Sequence, residues 1–453
     1  MVAVIPGLVV FALAVLGVLA VLAGVAWRPT ASVVIAIVLC QELAANEGFG
    51  LSSDPMQIFG HQLYFTDVGS IPVFELFLLF AATAGVIHAY RRQGRLGGRI
   101  PLVIVTLSGL VVGLTAFTHS LGPLTVMGQS LRPYTLATAA IVLGLTTDRQ
   151  PGGWPAVARY AGVGLVITAA AGMLLLATGR AALALDGSSP LFYDSALPAI
   201  AGAVFLTILF QPAERHWRLT MLATTSFIVL LSGRRNVWLA MMVALVVMLM
   251  VRRGRAKNLA RLALGCGLLA GAVFLINPGV LGAMSQRLLS SITTVSGTAA
   301  EVSTSQHVDD LRYGWQYALD APFLGYGPER GPLPGLAVQH GVMYVHNQFL
   351  IDWLRYGVPG LVIITSLTTG MFMLGVHAVR RAESLHASVS AVFLLMAPIC
   401  AMTAPFFTTT QRWPVLLGLA VGAITAARPG EPRSEIEAEG QGQRNAEREV
   451  VAA

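Results

Sequence analysis

Apolar runs of about 20 residues recur along nearly the whole chain, parted by short polar or Gly/Pro-bearing breaks. That pattern predicts membrane-spanning helices at roughly 4–26, 31–44, 71–90, 101–118, 131–147, 158–178, 195–211, 217–233, 236–251, 258–276, 358–378, 386–403 and 412–427. The fold class expected is therefore all-α: a polytopic membrane domain over 1–427 with about 12–13 spans. The lower count applies if the short 31–44 segment is re-entrant. The first apolar stretch, Ile5 to Trp27, lacks a basic leading region and is too long for a cleavable signal core, so it reads as a retained helix.

Composition strengthens this picture. The 453 residues are 55% hydrophobic and 11% charged, with a mean hydropathy of +0.71. Soluble domains carry about 25% charged residues. A soluble chain of this composition would lack the polar surface to cover its apolar content.

The net charge of +7 raises nucleic acid as a partner, but the basic residues follow membrane topology instead. "RRQGRLGGR" (Arg91 to Arg99), "RRGRAKNLAR" (Arg252 to Arg261) and the pair Arg380–Arg381 fall on one side if the spans alternate. Basic loops mark the cytoplasmic side. The polar, charge-mixed tail 428–453 joins them there and is expected to be disordered. Cys40, Cys266 and Cys400 lie inside apolar segments without metal-ligand spacing, and no disulfide is expected.

The opposite side then holds two long loops, about 45–70 and 277–344. Within the second, "DDLRYGWQYALDAPFLGYGPERG" reads as an amphipathic helix stopped at Pro322. Several arginines land on this side against the usual bias: Arg132, Arg180, Arg234, Arg235, Arg312, Arg330 and Arg412. Arg180 and Arg412 fit simple snorkelling to headgroups as well as any other role. Arg234 and Arg235 are adjacent, in a turn too tight for a free loop, and repel each other. An anionic partner relieves that cost, and guanidinium forks suit phosphate oxygens. The set implies an anionic lipid headgroup or a lipid diphosphate. Glu75, inside a span, is open to two readings: a functional carboxylate, or one that pairs with an external arginine to organise the bundle. No P-loop, zinc-type cluster, paired-Asp motif or Gly-x-Ser-x-Gly is present in the sequence.

Three segments in order carry a family likeness. "SGRRNVWLA" (Ser232 to Ala240) is similar to a Ser-Arg-Gly-type turn, with Arg235 at the arginine position. "LRYGWQYALDAPFLGYG" supplies Arg312, Trp315, Pro322, Gly325 and Gly327. "HNQFLIDWLRYGVPG" supplies His346 and Asn347, nine residues, then Gly357 and Gly360, a pair that allows a bend into the next span. On these motifs the chain resembles the O-antigen ligase/O-antigen polymerase superfamily of bacterial membrane glycosyltransferases.

The resemblance implies transfer of a polyprenyl-diphosphate-linked glycan to a sugar hydroxyl on a glycan or glycolipid acceptor. The site would face outward from the cytoplasmic (inner) membrane, with no metal, cofactor or nucleotide sugar. In that reading His346 is the general base. Arg312 and Arg235 stabilise the departing diphosphate, helped by Arg234 and Arg132, with Asn347 and Trp315 at the substrate. Asn347 is equally suited to capping the helix after it, and Arg312 to pairing with Asp309, Asp310 or Asp320. A flippase for lipid-linked oligosaccharide also needs external arginines, although the spans here are nearly charge-free. Ligase and polymerase both remain open.

Overall fold

The computed structural model describes residues 24–25, 27–40, 67–68, 71–93, 124–147, 153–177, 195–211, 215–232, 234–251, 260, 299–327, 333–339, 342–381, 384–405, 407 and 412–426. The expected spans 101–118 and 258–276, most of 4–26, the tail 428–453, Arg180, Arg330 and Cys266 lie outside the described residues, as does nearly all of the 45–70 loop. Each expected span that falls on described residues is a helix. In chain order these are α1 (Pro29–Leu39), α2 (Val73–Gln93), α3 (Leu124–Thr147), α4 (Gly153–Ala177), α5 (Ala196–Phe210), α6 (Arg215–Leu231) and α7 (Arg235–Val251). Then come α8 (Ala299–Asp320), the amphipathic helix of the large loop, and α9 (Gln348–Arg381), α10 (Leu385–Thr403) and α11 (Arg412–Ala426). Two short antiparallel hairpins accompany them: β1 (Asp67–Val68) with β2 (Ile71–Pro72), and β3 (Ala337–Gln339) with β4 (Val342–Tyr344).

Among the described residues, four helices are long and apolar enough to cross a membrane: Val73–Arg91, Gly153–Leu174, Gln348–Arg381 and Leu385–Thr403. Shorter apolar helices stand at Pro29–Val38, Ala196–Phe210, Arg235–Val251 and Arg412–Ala426. A helix keeps its backbone hydrogen bonds to itself, so an apolar chain in lipid adopts it.

Helix α10 sits at the centre, touching α4, α5, α7, α9 and α11. Its residues from Ala391 to Ala397 are all buried. Phe393 stacks on Trp413 at 5.2 Å, and the Trp413 indole donates to Ser195 Oγ at 3.2 Å. Cys40 and Cys400 are buried and are not in disulfides.

Helices α3 and α11 approach so closely that only small residues fit between them. A Cβ on Gly422 would lie 2.8 Å from the Ile141 carbonyl oxygen and 2.9 Å from Gly144 Cα. Small-residue contacts of this kind replace hydrophobic driving force where lipid surrounds the helices.

Side-chain contacts fix the direction of each helix. At one end of the bundle, Ser195 meets Trp413 at the starts of α5 and α11, and Asn347 donates to the Met402 carbonyl at the end of α10. At the other end, Gln211 hydrogen-bonds Ser388, Trp154 stacks on His386 at 5.9 Å, and the Trp154 indole donates to the Gly144 carbonyl at 3.1 Å. Following the chain between these anchors places Glu75, Arg132, the α6–α7 turn, His346 and Arg412 at the first end. Arg91, Arg380 and Arg381 lie at the second. Arg91, Arg380 and Arg381 thus share one end, as expected of them; the basic residues of 252–261 lie outside the described residues.

Overpacking at the α3–α11 seam should cost about 1–3 kcal/mol. Gly422→Leu is expected to lower the melting temperature of the purified protein in detergent by several degrees. Gly370→Leu, where a side chain meets nothing within 4 Å, should leave it unchanged.

Candidate active site

The site is assembled by α8 and the first part of α9. Asn347 caps α9: its Oδ1 accepts from Leu350 N at 3.0 Å, and its carbonyl accepts from Ile351 N at 3.0 Å. A side-chain cap of this type contributes about 1 kcal/mol. Its amide nitrogen is committed to Met402, so the capping alternative is the one the geometry realises. Leu350, Ile351 and Leu354 then form a small core with Ala318, Leu333, Leu336 and Val345. Burying each large aliphatic side chain contributes about 1.5–3 kcal/mol. Gly314 permits the close approach, since a Cβ there would lie 2.8 Å from the Leu350 side chain.

Helix α9 breaks at Gly357 (φ 67°, ψ −160°), separating a short arm, 348–356, from the membrane-crossing part. A helix beginning at His346 and bending at the Gly-x-x-Gly pair into the span 358–378 is what the sequence suggests; the helix begins at Gln348 and breaks at Gly357. A break in a helix orphans backbone groups, and Pro359 removes one further donor. The turn after α8 takes them up. Pro322 O accepts from Val358 N at 2.8 Å and from the Trp353 indole at 3.1 Å. The freed carbonyls of Leu354 and Arg355 accept from Tyr326 N at 2.6 Å and Gly327 N at 3.0 Å. Gly325 (φ 67°) fits into the same contact, where a Cβ would lie 2.6 Å from Leu354 O. The Gly-x-Gly and Gly-x-x-Gly segments are thus two halves of one joint.

This joint holds His346 beside α8. Its Nδ1 lies 2.5 Å from Asp310 Oδ2. Asp310 is 4% exposed, and a carboxylate so buried is retained when it is paired. A carboxylate only accepts, so Nδ1 donates to Asp310 and the imidazole is oriented against α8. Asp310 is therefore engaged by His346, and among the described residues Arg312 forms no ion pair. Arg312 is exposed on α8 and lines a cleft of about 660 Å³ with Trp315, Asn347, Phe349, Trp353 and Leu361. Trp315 and Trp353 meet edge to face at 5.3 Å. Ligand clefts commonly enclose about 300–1,000 Å³ with apolar walls and few polar groups.

The remaining predicted residues stand around the same end. Arg132 Nε pairs with the buried carboxylate of Glu75, tying α3 to α2. Arg234 and Arg235 occupy the α6–α7 turn, which is closed by hydrogen bonds. Ser232 Oγ donates to Val229 O at 2.7 Å, the Trp238 indole donates to the same carbonyl at 3.1 Å, and Arg234 O accepts from Val237 N and Trp238 N. Neither arginine is among the described residues lining the cleft.

Two features were not read from sequence. Along the chain Asp310 reads as a partner for nearby Arg312; nothing in a linear pattern pairs it with a histidine 36 positions away. Gln348, Asp352 and Arg355 are buried on one face of the arm. Gln348 Nε2 donates to Asp352 Oδ2 at 2.8 Å, and its Oε1 accepts from Phe407 N at 2.9 Å. Charged residues in an apolar run were the available signal for that cluster.

The fold and site define a polytopic, helical membrane protein with a built polar site at one end of the bundle. Residues 220–365 match the family model described as O-antigen ligase. The match spans all three motif segments and supports placing the chain in the O-antigen ligase/polymerase superfamily. That family implies ligase or polymerase activity of the glycosyltransferase type in polysaccharide assembly. No curated protein matches the chain.

Gly357→Ala would drive a methyl group into the Phe323 carbonyl and force a left-handed φ on alanine. The α8–α9 joint is expected to open, read as faster limited proteolysis within 321–345 than in wild type.

Proposed function

We propose that the chain transfers a glycan from a polyprenyl diphosphate to an acceptor sugar hydroxyl on the outer face of the bacterial cytoplasmic membrane. The observation that carries this reading is the His346–Asp310 pair standing next to the Arg312-lined cleft. The acceptor oxygen attacks the anomeric carbon as the bond from that carbon to the diphosphate oxygen breaks. Its proton passes to His346 Nε2, and the bonding electrons leave on the diphosphate. Attack from the face opposite the leaving group inverts the anomeric centre.

Asp310 holds the imidazole in the tautomer that can accept this proton and stabilises the imidazolium that results. Arg312 meets the charge that grows on the diphosphate, and fixed cations aimed at developing charge are an effective stabiliser of such a transition state. Arg235 and Arg234, at the same end of the bundle, extend the cationic surface toward the lipid phosphates. Trp315 and Asn347 line the cleft that receives the substrate. Arg132, committed to Glu75, organises the bundle beneath them. The cations of the chain take the part that a metal ion plays in other glycosyl transfers, so the reaction is metal-independent.

His346→Ala and Arg312→Ala should each reduce transfer by about 10²-fold or more while purifying as well as wild type. The assay is reconstitution with a labelled polyprenyl-diphosphate glycan and an acceptor glycolipid. Wild-type yield from either variant would sink the mechanism. Passage of the label across the vesicle with no new glycosidic bond would mark a flippase instead.

A further inference from the structure

Helix α8 has three faces. One, with Asp310, Gly314 and Ala318, packs against the arm of α9. A second carries Asp309, Arg312, Gln316 and Asp320, all exposed. The third is apolar and equally exposed: Val308, Leu311, Trp315 and Leu319 recur at helical spacing, and Phe323 extends the line past the helix end. Val308 is 58% exposed, Leu319 55% and Phe323 75%. An apolar stripe of this length is not left to water.

The stripe does not end at random. It runs into the joint at Gly357, where Val358 N donates to Pro322 O at 2.8 Å. Directly beyond, the membrane-crossing part of α9 presents Val358 and Val362 outward. The apolar line on α8 is thus continuous with the lipid-facing side of a membrane helix. Along the stripe's edge, Arg312 marks the change from apolar to polar face. An apolar face, a charged face and a tryptophan at the border are the pattern of a helix lying in the membrane interface.

We propose that α8 is an interfacial helix whose Val308–Leu311–Trp315–Leu319–Phe323 stripe is seated in the outer part of the lipid bilayer. The stripe enters the acyl boundary, and Arg312 lies at the level of the phospholipid phosphates. The His346–Asp310 pair, fixed to the buried face of the same helix, is thereby held at that depth. This seating is independent of which glycan the chain handles and of whether it transfers one.

The test places nitroxide labels on full-length chain in vesicles of phosphatidylethanolamine and phosphatidylglycerol, with Cys40, Cys266 and Cys400 replaced. Single cysteines are introduced as Val308→Cys, Leu319→Cys and Phe323→Cys on the stripe, and as Asp309→Cys and Gln316→Cys on the polar face. Stripe labels should collide several-fold more with oxygen than with a water-soluble nickel chelate, and polar-face labels the reverse. Stripe labels reached by nickel as readily as Gln316→Cys would overturn the proposal. So would stripe labels shielded from both reagents, the result expected if a second copy or another protein covers the stripe. If the cysteine-free background does not fold, the chain with its native cysteines gives the answer. Trp315→Phe should remove a fraction of the fluorescence that lipids brominated near the headgroup quench; unchanged quenching contradicts the seating.

Discussion

The break in α9 at Gly357 is the constraint on which the rest of the structure hangs. A membrane helix can stop being helical only where something else satisfies its backbone. Here the turn after α8 supplies that, exchanging hydrogen bonds through Pro322, Tyr326 and Gly327 with the carbonyls and amides the break sets loose. The exchange needs two left-handed glycines, Gly325 and Gly357, pressed backbone to backbone. Because the joint is made of main chain, it positions α8 firmly while leaving the side chains above it available for chemistry. His346, Asp310, Arg312 and Trp315 all take their places from it.

Electrostatics then divides the molecule. Arg91, Arg380 and Arg381 gather at one end, and Arg132, Arg234 and Arg235 at the other with the histidine. Arg132 is held by an ion pair to Glu75. The sequence presented two roles for Glu75, and the bundle-organising one is what the fold builds. Adjacent Arg234 and Arg235 sit in a turn whose backbone is closed by Ser232 and Trp238, so the two charges are not held apart by loop freedom.

Much of this is legible in the sequence. Hydropathy located the helices because lipid imposes one solution on an apolar backbone, and Pro322 marked the end of α8 because proline cannot continue a helix. The bend at Gly357 was readable from Gly-x-x-Gly, and the cap at Asn347 was one of two roles its position offered. What was not legible depends on contacts distant in sequence. Asp310 stands near Arg312 along the chain, and only the fold turns it toward His346. The arm of α9 was legible as the helix that Asn347 caps, but the burial of Gln348, Asp352 and Arg355 on one of its faces was not. Their burial, with Gln348 accepting from Phe407 N, is a property of the packed bundle.

The most direct test of the central claim is a cryo-EM structure of the chain in lipid with a polyprenyl diphosphate bound. The proposed function predicts the diphosphate within hydrogen-bond distance of Arg312, in the cleft beside Trp315 and Trp353, with His346 still paired to Asp310 and its Nε2 facing the position the sugar would occupy. A diphosphate bound away from Arg312, or a His346 ring turned from both Asp310 and the ligand, would contradict it.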